Sequence, residues 1–246
     1  MISKCKFCKK EFKTSPSRKQ KYCSVSCGLR GRRAPDNQIF NDFNRDSAYI
    51  LGLIIADGCV SYSSHSSLLR LDVTMSEEDV MKKIHNLMTP KKQFKSIMAK
   101  KSRRPMYVVT SYNQNDIKYL KSIGVGERKT YNIRMPQDIQ YEPDIIRGIF
   151  DGDGSAFINK VKGHKYVHVS ITTGSELFAK DLVKVFANYG IKSSIVYDSR
   201  RKNSKNKTCY VKIYSKKDIA TFYNLVYGDN PNIYSSRKQE IFNSVI

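Results

Sequence analysis

Two short stretches of this chain repeat one another, and that repetition limits the folds open to it. Ile50-Leu51-Gly52-Leu53-Ile54-Ile55-Ala56-Asp57-Gly58 is echoed by Ile146-Arg147-Gly148-Ile149-Phe150-Asp151-Gly152-Asp153-Gly154. Each is an apolar run with small residues four apart, closed by Asp-Gly. Asp57 and Asp153 lie 96 positions apart, as do Val73 and Val169. The register set by the aspartates therefore holds into the segments that follow. A fixed offset of this kind predicts two copies of one structural unit, each delivering a carboxylate to a shared place.

The pattern between the copies supports this. In the first half a helix is expected at about 46–57, then a strand through Leu69-Arg70-Leu71-Asp72-Val73-Thr74-Met75, whose apolar residues alternate. An amphipathic helix follows from Ser76 to about Met88. Strands near 93–99 and 106–112 come next, and Asn113 opens a helix to about Ile123. The second half repeats the order: a helix at about 143–153, alternation in Tyr166-Val167-His168-Val169-Ser170-Ile171-Thr172, a helix from Ser175 to Tyr189, strands near 192–198 and 208–214, and a helix from Lys216. Each half reads helix, two strands, helix, two strands, helix. The expected fold class is α+β, with units at 36–142 and 143–246.

Gly52 and Ala56, like Gly148 and Gly152, share one helix face. Small residues there allow two backbones to come close, at a cost of roughly 1 kcal/mol for each helical glycine. Asp57-Gly58 and Asp153-Gly154 end these helices, with each glycine suited to a left-handed cap. Packed in parallel, the helices present both carboxylates together at the negative ends of their dipoles. Two anions so placed repel each other and hold a proton unless a cation sits between them. Mg²⁺, a hard oxygen-seeking ion, meets that need and can activate water against a phosphodiester.

Composition supplies the partner. Of 246 residues, 44 are Lys or Arg and 22 are Asp or Glu, a formal net charge of +22 that calls for a polyanion or a membrane surface. No apolar run approaches the roughly 18 residues a spanning helix needs, and no signal-peptide core opens the chain. Nucleic acid is the expected partner, and an intracellular setting goes with it.

Residues 1–35 stand apart. They hold eleven Lys or Arg and one acidic residue, Glu11. Cys5-x2-Cys8 and Cys23-x3-Cys27 are separated by fourteen residues, a spacing that predicts a four-thiolate Zn²⁺ site. So short a segment lacks the apolar area to fold alone, and a metal supplies the missing energy. Phe7, Phe12 and Tyr22 are its candidate core. The basic residues Arg32 and Arg33 follow, suited to phosphates.

The repeated segments resemble the paired signature helices of the LAGLIDADG homing endonucleases. The resemblance covers residues from about 46 to 246 and implies the single-chain, two-repeat form: a pseudo-twofold pair of αββαββα units whose sheets form a DNA-binding saddle. It implies a monomer that binds double-stranded DNA, breaks both strands across the minor groove and leaves short 3′ overhangs, as in intron homing. By the same resemblance Asp57 and Asp153 bind catalytic Mg²⁺, with Gly58 and Gly154 beside them as ligands. The first motif departs from the family pattern at Ile55, where an acidic residue is common; the second keeps Asp151. Lys129 and Lys238 stand where family members carry a lysine that activates water or stabilises charge, and both could instead contact phosphates.

Two basic runs, Lys100-Lys101-x-Arg103-Arg104 and Arg200-Arg201-Lys202-x2-Lys205-x-Lys207, occupy equivalent hairpin tips and fit arms along a duplex. Base-edge readers are expected opposite the buried strand faces: Arg70, Asp72 and Thr74 in the first half, and Tyr166, His168, Ser170 and Thr172 in the second. The two sets differ, so an asymmetric target is expected.

Three rivals remain in view. A non-cleaving regulator or RNA-splicing maturase on the same fold can lose the acidic pair, which both motifs here retain. An HNH nuclease needs clustered histidines, and His65, His85, His164 and His168 form no such cluster. An intein-embedded nuclease is not expected, because the chain starts with Met1 and shows no splicing termini.

Overall fold

The computed structural model describes residues 2–6, 8–15, 20–32, 36–63, 68–98, 105–127, 129–161, 163–198 and 208–245. Its N-terminal segment contains a small hairpin, β1 (Ile2–Lys4) with β2 (Glu11–Lys13), and a helix, α1 (Val25–Arg32).

The first unit runs α2 (Arg45–Asp57), β3 (Gly58–Tyr62), β4 (Leu69–Met75), α3 (Glu78–Met88), β5 (Lys95–Ile97), β6 (Met106–Ser111) and α4 (Gln114–Ser122). The second runs α5 (Glu142–Asp153), β7 (Gly154–Val161), β8 (His164–Thr173), α6 (Glu176–Asn188), β9 (Ser193–Tyr197), β10 (Cys209–Ile213) and α7 (Lys216–Tyr227). Among the described residues each unit has one four-stranded antiparallel sheet. The spatial orders, β3-β4-β6-β5 and β7-β8-β10-β9, are the same. The periodic segments thus lie where their patterns put them. Sequence patterning counted two strands after each motif helix but placed only the second, leaving β3 and β7 without a range, and it missed α8 (Ser236–Asn243) and the 3₁₀ turn Lys129–Tyr131.

Helix α2 begins on a capping box. Asn44 Oδ1 accepts from the backbone N–H of Asp46 and Ser47, and Ser47 Oγ accepts from the Asn44 N–H at 2.7 Å. Reciprocal bonds of this kind satisfy the orphan donors of a first turn. From Ser47 to Ile55 every residue of α2 is buried, because α5 covers one side and the core of the first unit the rest. Helix α5 starts after Tyr141, which adopts a left-handed conformation (φ 58°), with proline in its first turn.

The two helices meet along their small residues. A Cβ placed on Gly52 would lie 2.0 Å from the Ile145 carbonyl oxygen, and one on Gly148 would lie 2.1 Å from that of Tyr49. A Cβ on Gly152 would lie 2.5 Å from Ala56 Cβ. Gly52 faces Gly148 and Ala56 faces Gly152, so the helices run in parallel with main chain against main chain.

One local expectation fails. Gly58 (φ −81°, ψ 147°) and Gly154 (φ −80°, ψ 152°) are extended, not left-handed. The chain passes from each helix straight into a strand. Glycine is needed there for room: a Cβ would meet the Ile54 carbonyl oxygen at 2.6 Å and that of Phe150 at 2.2 Å.

Candidate active site at the helix seam

Asp57 and Asp153 are the last residues of α2 and α5, so the parallel seam carries both to one end. Asp57 is exposed and Asp153 half-buried. Burial, and then the nearby Asp57 carboxylate, raise Asp153 to about 6. Burial also raises Asp57, against the pull of Lys238 and Lys129. Asp57 opens to solvent on one side, while protein packed on its other sides penalises its charge.

Each carboxylate has a lysine nearby. Lys129, in the 3₁₀ turn, donates to the Ala56 carbonyl at 3.3 Å. Burial lowers its pKa, opposed by Asp153, Asp57 and Cys59. Lys238, in α8, is 3% exposed. Its Nζ donates to the carbonyl oxygens of Phe150 (2.6 Å), Asp151 (2.8 Å) and Gly154 (2.7 Å). An ammonium has three protons, and three carbonyls at the end of α5 take them. Burial brings Lys238 down to about 8, with the Asp151 carboxylate opposing.

Asp151 ties α8 to this place. It is 2% exposed and accepts from Tyr49 Oη (2.9 Å), Tyr227 Oη (2.7 Å) and the Ser235 N–H (2.8 Å). Tyr49 lies on α2, so the bond crosses the seam. Ser235 caps α8, which positions Lys238 one turn on. Ile55 fills the matching slot in the first unit and is buried. The motif pattern singled out Asp151; no local signal pointed to Tyr227, 76 residues away.

Gly154, expected as a metal ligand, has its carbonyl oxygen engaged by a lysine. The Lys238 ammonium donates to it at 2.7 Å, and a carbonyl oxygen keeps a second lone pair beside such a bond. Gly58 opens β3 opposite Val73 and its carbonyl remains a candidate.

A LAGLIDADG-like domain model matches residues 44–124 and 142–227. Those limits enclose the two units from motif helix to closing helix. The chain belongs to the LAGLIDADG-like family. A curated relative of this LAGLIDADG chain, the replication factor C small subunit of Methanocaldococcus jannaschii, is 27% identical over 193 residues. The match covers 75% of this chain and spans only 10% of that protein. Among solved structures, I-WcaI bound to its DNA recognition sequence aligns with a TM-score of 0.56 at 15% identity, over 78% of this chain and 83% of that one. Mesophilic variants of the homing endonuclease I-DmoI give 0.52 at 18% identity, over 79% and 96%. The meganuclease I-AabMI bound to uncleaved DNA gives 0.52 at 13%, over 82% and 89%. At these identities the likeness shows the LAGLIDADG fold.

The sheet residues sort by face. On β4, Arg70, Asp72 and Thr74 alternate with buried Leu71, Val73 and Met75. On β8, Tyr166 is exposed, and His168 and Thr172 are half-buried. Ser170 is corrected: at 4% exposure it is closed off in the central strand, opposite Ser155 on β7 and Lys212 on β10. A short side chain between two neighbouring strands is easily covered. His168 stacks on Phe157, ring centroids 4.5 Å apart, and burial, then Lys212, lower its pKa. Lys101, Arg103, Arg104, Arg200, Arg201, Lys205, Arg33 and Phe7 lie outside the described residues, as does the side chain of Arg32.

In the N-terminal segment the sulfurs of Cys5, Cys8, Cys23 and Cys27 lie within 4.8 Å of one another. Cys8 and Cys27 each approach Cys23 Sγ to 3.5 Å, and the Cys23 N–H donates to Cys5 Sγ. Contacts with the Cys27 and Cys8 sulfurs raise the Cys23 thiol to about 12. Four sulfurs so close, drawn from both ends of the segment, suit one soft tetrahedral cation.

Proposed function

We propose that this chain is a site-specific DNA endonuclease of the homing type, which makes metal-dependent double-strand breaks with short 3′ overhangs at a long, asymmetric target. One observation carries the reading: two parallel motif helices bring Asp57, Asp153 and Lys129 to one end of a seam, in a chain of net charge +22. The structures of I-WcaI bound to its DNA recognition sequence and of an I-DmoI variant with its target DNA in the presence of Mn support it.

Asp57 and Asp153 suit divalent cations, Mg²⁺ in this reading. The donors are hard oxygens, and burial, then the Asp57 carboxylate, makes the charged form of Asp153 costly, which a bound cation would offset. Such a cation supplies positive charge to an attacking water and to the leaving oxygen. Lys129 keeps protons beyond its single carbonyl bond, and those stabilise charge gathering on the phosphate. Lys238 acts one step removed, as a positioning residue that clamps the end of α5. The sheets form the saddle on the duplex, with Arg70, Thr74, Tyr166, His168 and Thr172 on the reading faces. Zn²⁺ on the four cysteines folds the N-terminal module.

The test is incubation with duplexes carrying candidate targets, in Mg²⁺ or in Ca²⁺. Cleavage is expected in Mg²⁺, and Asp57→Asn or Asp153→Asn should abolish it while binding persists. Binding with no cleavage by the unaltered chain in Mg²⁺ or Mn²⁺ would make it a non-cleaving DNA binder. Cleavage retained in both variants would remove the aspartates from the chemistry.

A further inference from the structure

The outward face of the first sheet holds a charge arrangement that a simple set of base readers does not explain. Asp72 sits between two partners. Its Oδ2 lies 2.8 Å from Arg70 Nε, and its Oδ1 accepts from Thr110 Oγ1 at 2.6 Å. Thr110 is opposite Asp72 on β6, and Cys59 is opposite it on β3. The row Cys59–Asp72–Thr110 therefore crosses the sheet, with Arg70 two residues along β4. Arg70, Asp72 and Thr110 border a hollow of about 930 Å³ that Thr74, Lys95 and Tyr112 also line.

A lone carboxylate on a face meant for DNA repels phosphate. Here both oxygens of Asp72 are committed and only 18% of its side chain is exposed, against 39% for Arg70. The carboxylate is thus neutralised by the arginine and pinned by the threonine. Nε faces the carboxylate in an ion pair without a hydrogen bond to it, and the two terminal nitrogens of Arg70 remain as the fork of the guanidinium. A fork steadied by an ion pair beside its base loses less freedom on binding than a loose arginine. The flat acceptor pair it fits is O6 and N7 of guanine, in the major groove.

We propose that Arg70 reads one guanine in the half of the target under the first sheet. Asp72 and Thr110 are positioning residues that aim it, and Asp72 does not touch the DNA. This rests on the chain being a sequence-specific DNA binder.

The full chain is tested in Ca²⁺ against a randomised duplex library, followed by binding to the selected site. The unaltered chain should enrich guanine at one position in one half, and 7-deazaguanine placed there should weaken binding. Arg70→Ala and Arg70→Lys should each lose at least about ten-fold discrimination at that position and keep the preferences elsewhere. Asp72→Asn and Thr110→Val should reduce discrimination at the same position, with melting temperature and preferences elsewhere unchanged. Equal weakening at every sequence in Arg70→Ala would make the residue a phosphate contact and overturn the inference. So would a guanine preference that survives in Arg70→Lys, or one indifferent to Asp72→Asn. If the unaltered chain enriches no sequence, the proposed function falls together with this inference; if it enriches a sequence without an Arg70-dependent guanine, only this inference falls.

Discussion

The ammonium of Lys238 lies 2.6 Å from the carbonyl oxygen of Phe150, and the carbonyls of Asp151 and Gly154 take its other protons. Lys129 makes one longer bond, to Ala56. The two lysines occupy comparable places in the repeat and are spent differently.

Replacing each should therefore fail in a different way. Lys238→Met leaves three buried carbonyls without their donor, and about 2–4 kcal/mol of stability should go with it. Lys129→Met should melt near the unaltered chain while cleavage falls by roughly a hundred-fold. Melting curves beside single-turnover cleavage separate the two. Equal losses of stability would remove the distinction drawn here.

Asp153 sets a pH dependence. Its carboxyl titrates at about 6 when folded and near 4, about the usual aspartate value, when unfolded. The folded chain without Mg²⁺ thus holds the extra proton, and its stability falls as pH rises from about 4 to about 6. Asp57→Asn removes the neighbouring charge and should stabilise the Mg²⁺-free protein at pH 7 by about 1 kcal/mol, a gain that fades toward pH 4. Urea melts across that range check it. The same proton competes with metal, so Ca²⁺ affinity should drop below pH 6.

At Gly148 the seam has no room for a methyl group. Gly148→Ala puts a Cβ 2.1 Å from the Tyr49 carbonyl oxygen, so α2 and α5 must move apart. Helix propensity favours alanine by roughly 1 kcal/mol, yet the clash should leave a net loss of about 1–3 kcal/mol. A stabilised variant would mean that the helices do not touch where described.

The four-cysteine cluster should carry one Zn²⁺ per chain by elemental analysis. Cys23→Ser should lower that content and expose residues 1–32 to protease, leaving the two-unit body intact. Full zinc content in the variant would show that Cys23 is not a ligand.

Much of this was legible in the sequence because repetition supplied a second reading of every element. The 96-residue offset aligned Asp57 with Asp153 and β4 with β8. Small residues four apart announced the seam before any contact was known. What escaped depended on distance along the chain or on crowding. The Tyr227 bond to Asp151 has no local signature. The left-handed caps expected at Gly58 and Gly154 gave way because a strand follows at once, and glycine there answers to space. Helix α8 has little apolar periodicity, and its place is fixed by Ser235 and Lys238 meeting α5.

The contact of Gly52 with Gly148 has a consequence for how such a chain changes over time. Main chain meets main chain at the centre of the join, and side-chain bonds between the halves, such as Tyr49 to Asp151 and Arg45 to Asp144, are made by residues of the two helices. Residues on the outward face of one sheet can differ from those of its twin without disturbing it, and here they do: an arginine–aspartate pair stands on one side and a phenylalanine–histidine stack on the other. A duplicated ancestor held together this way could acquire two independent vocabularies while keeping one hinge of chemistry.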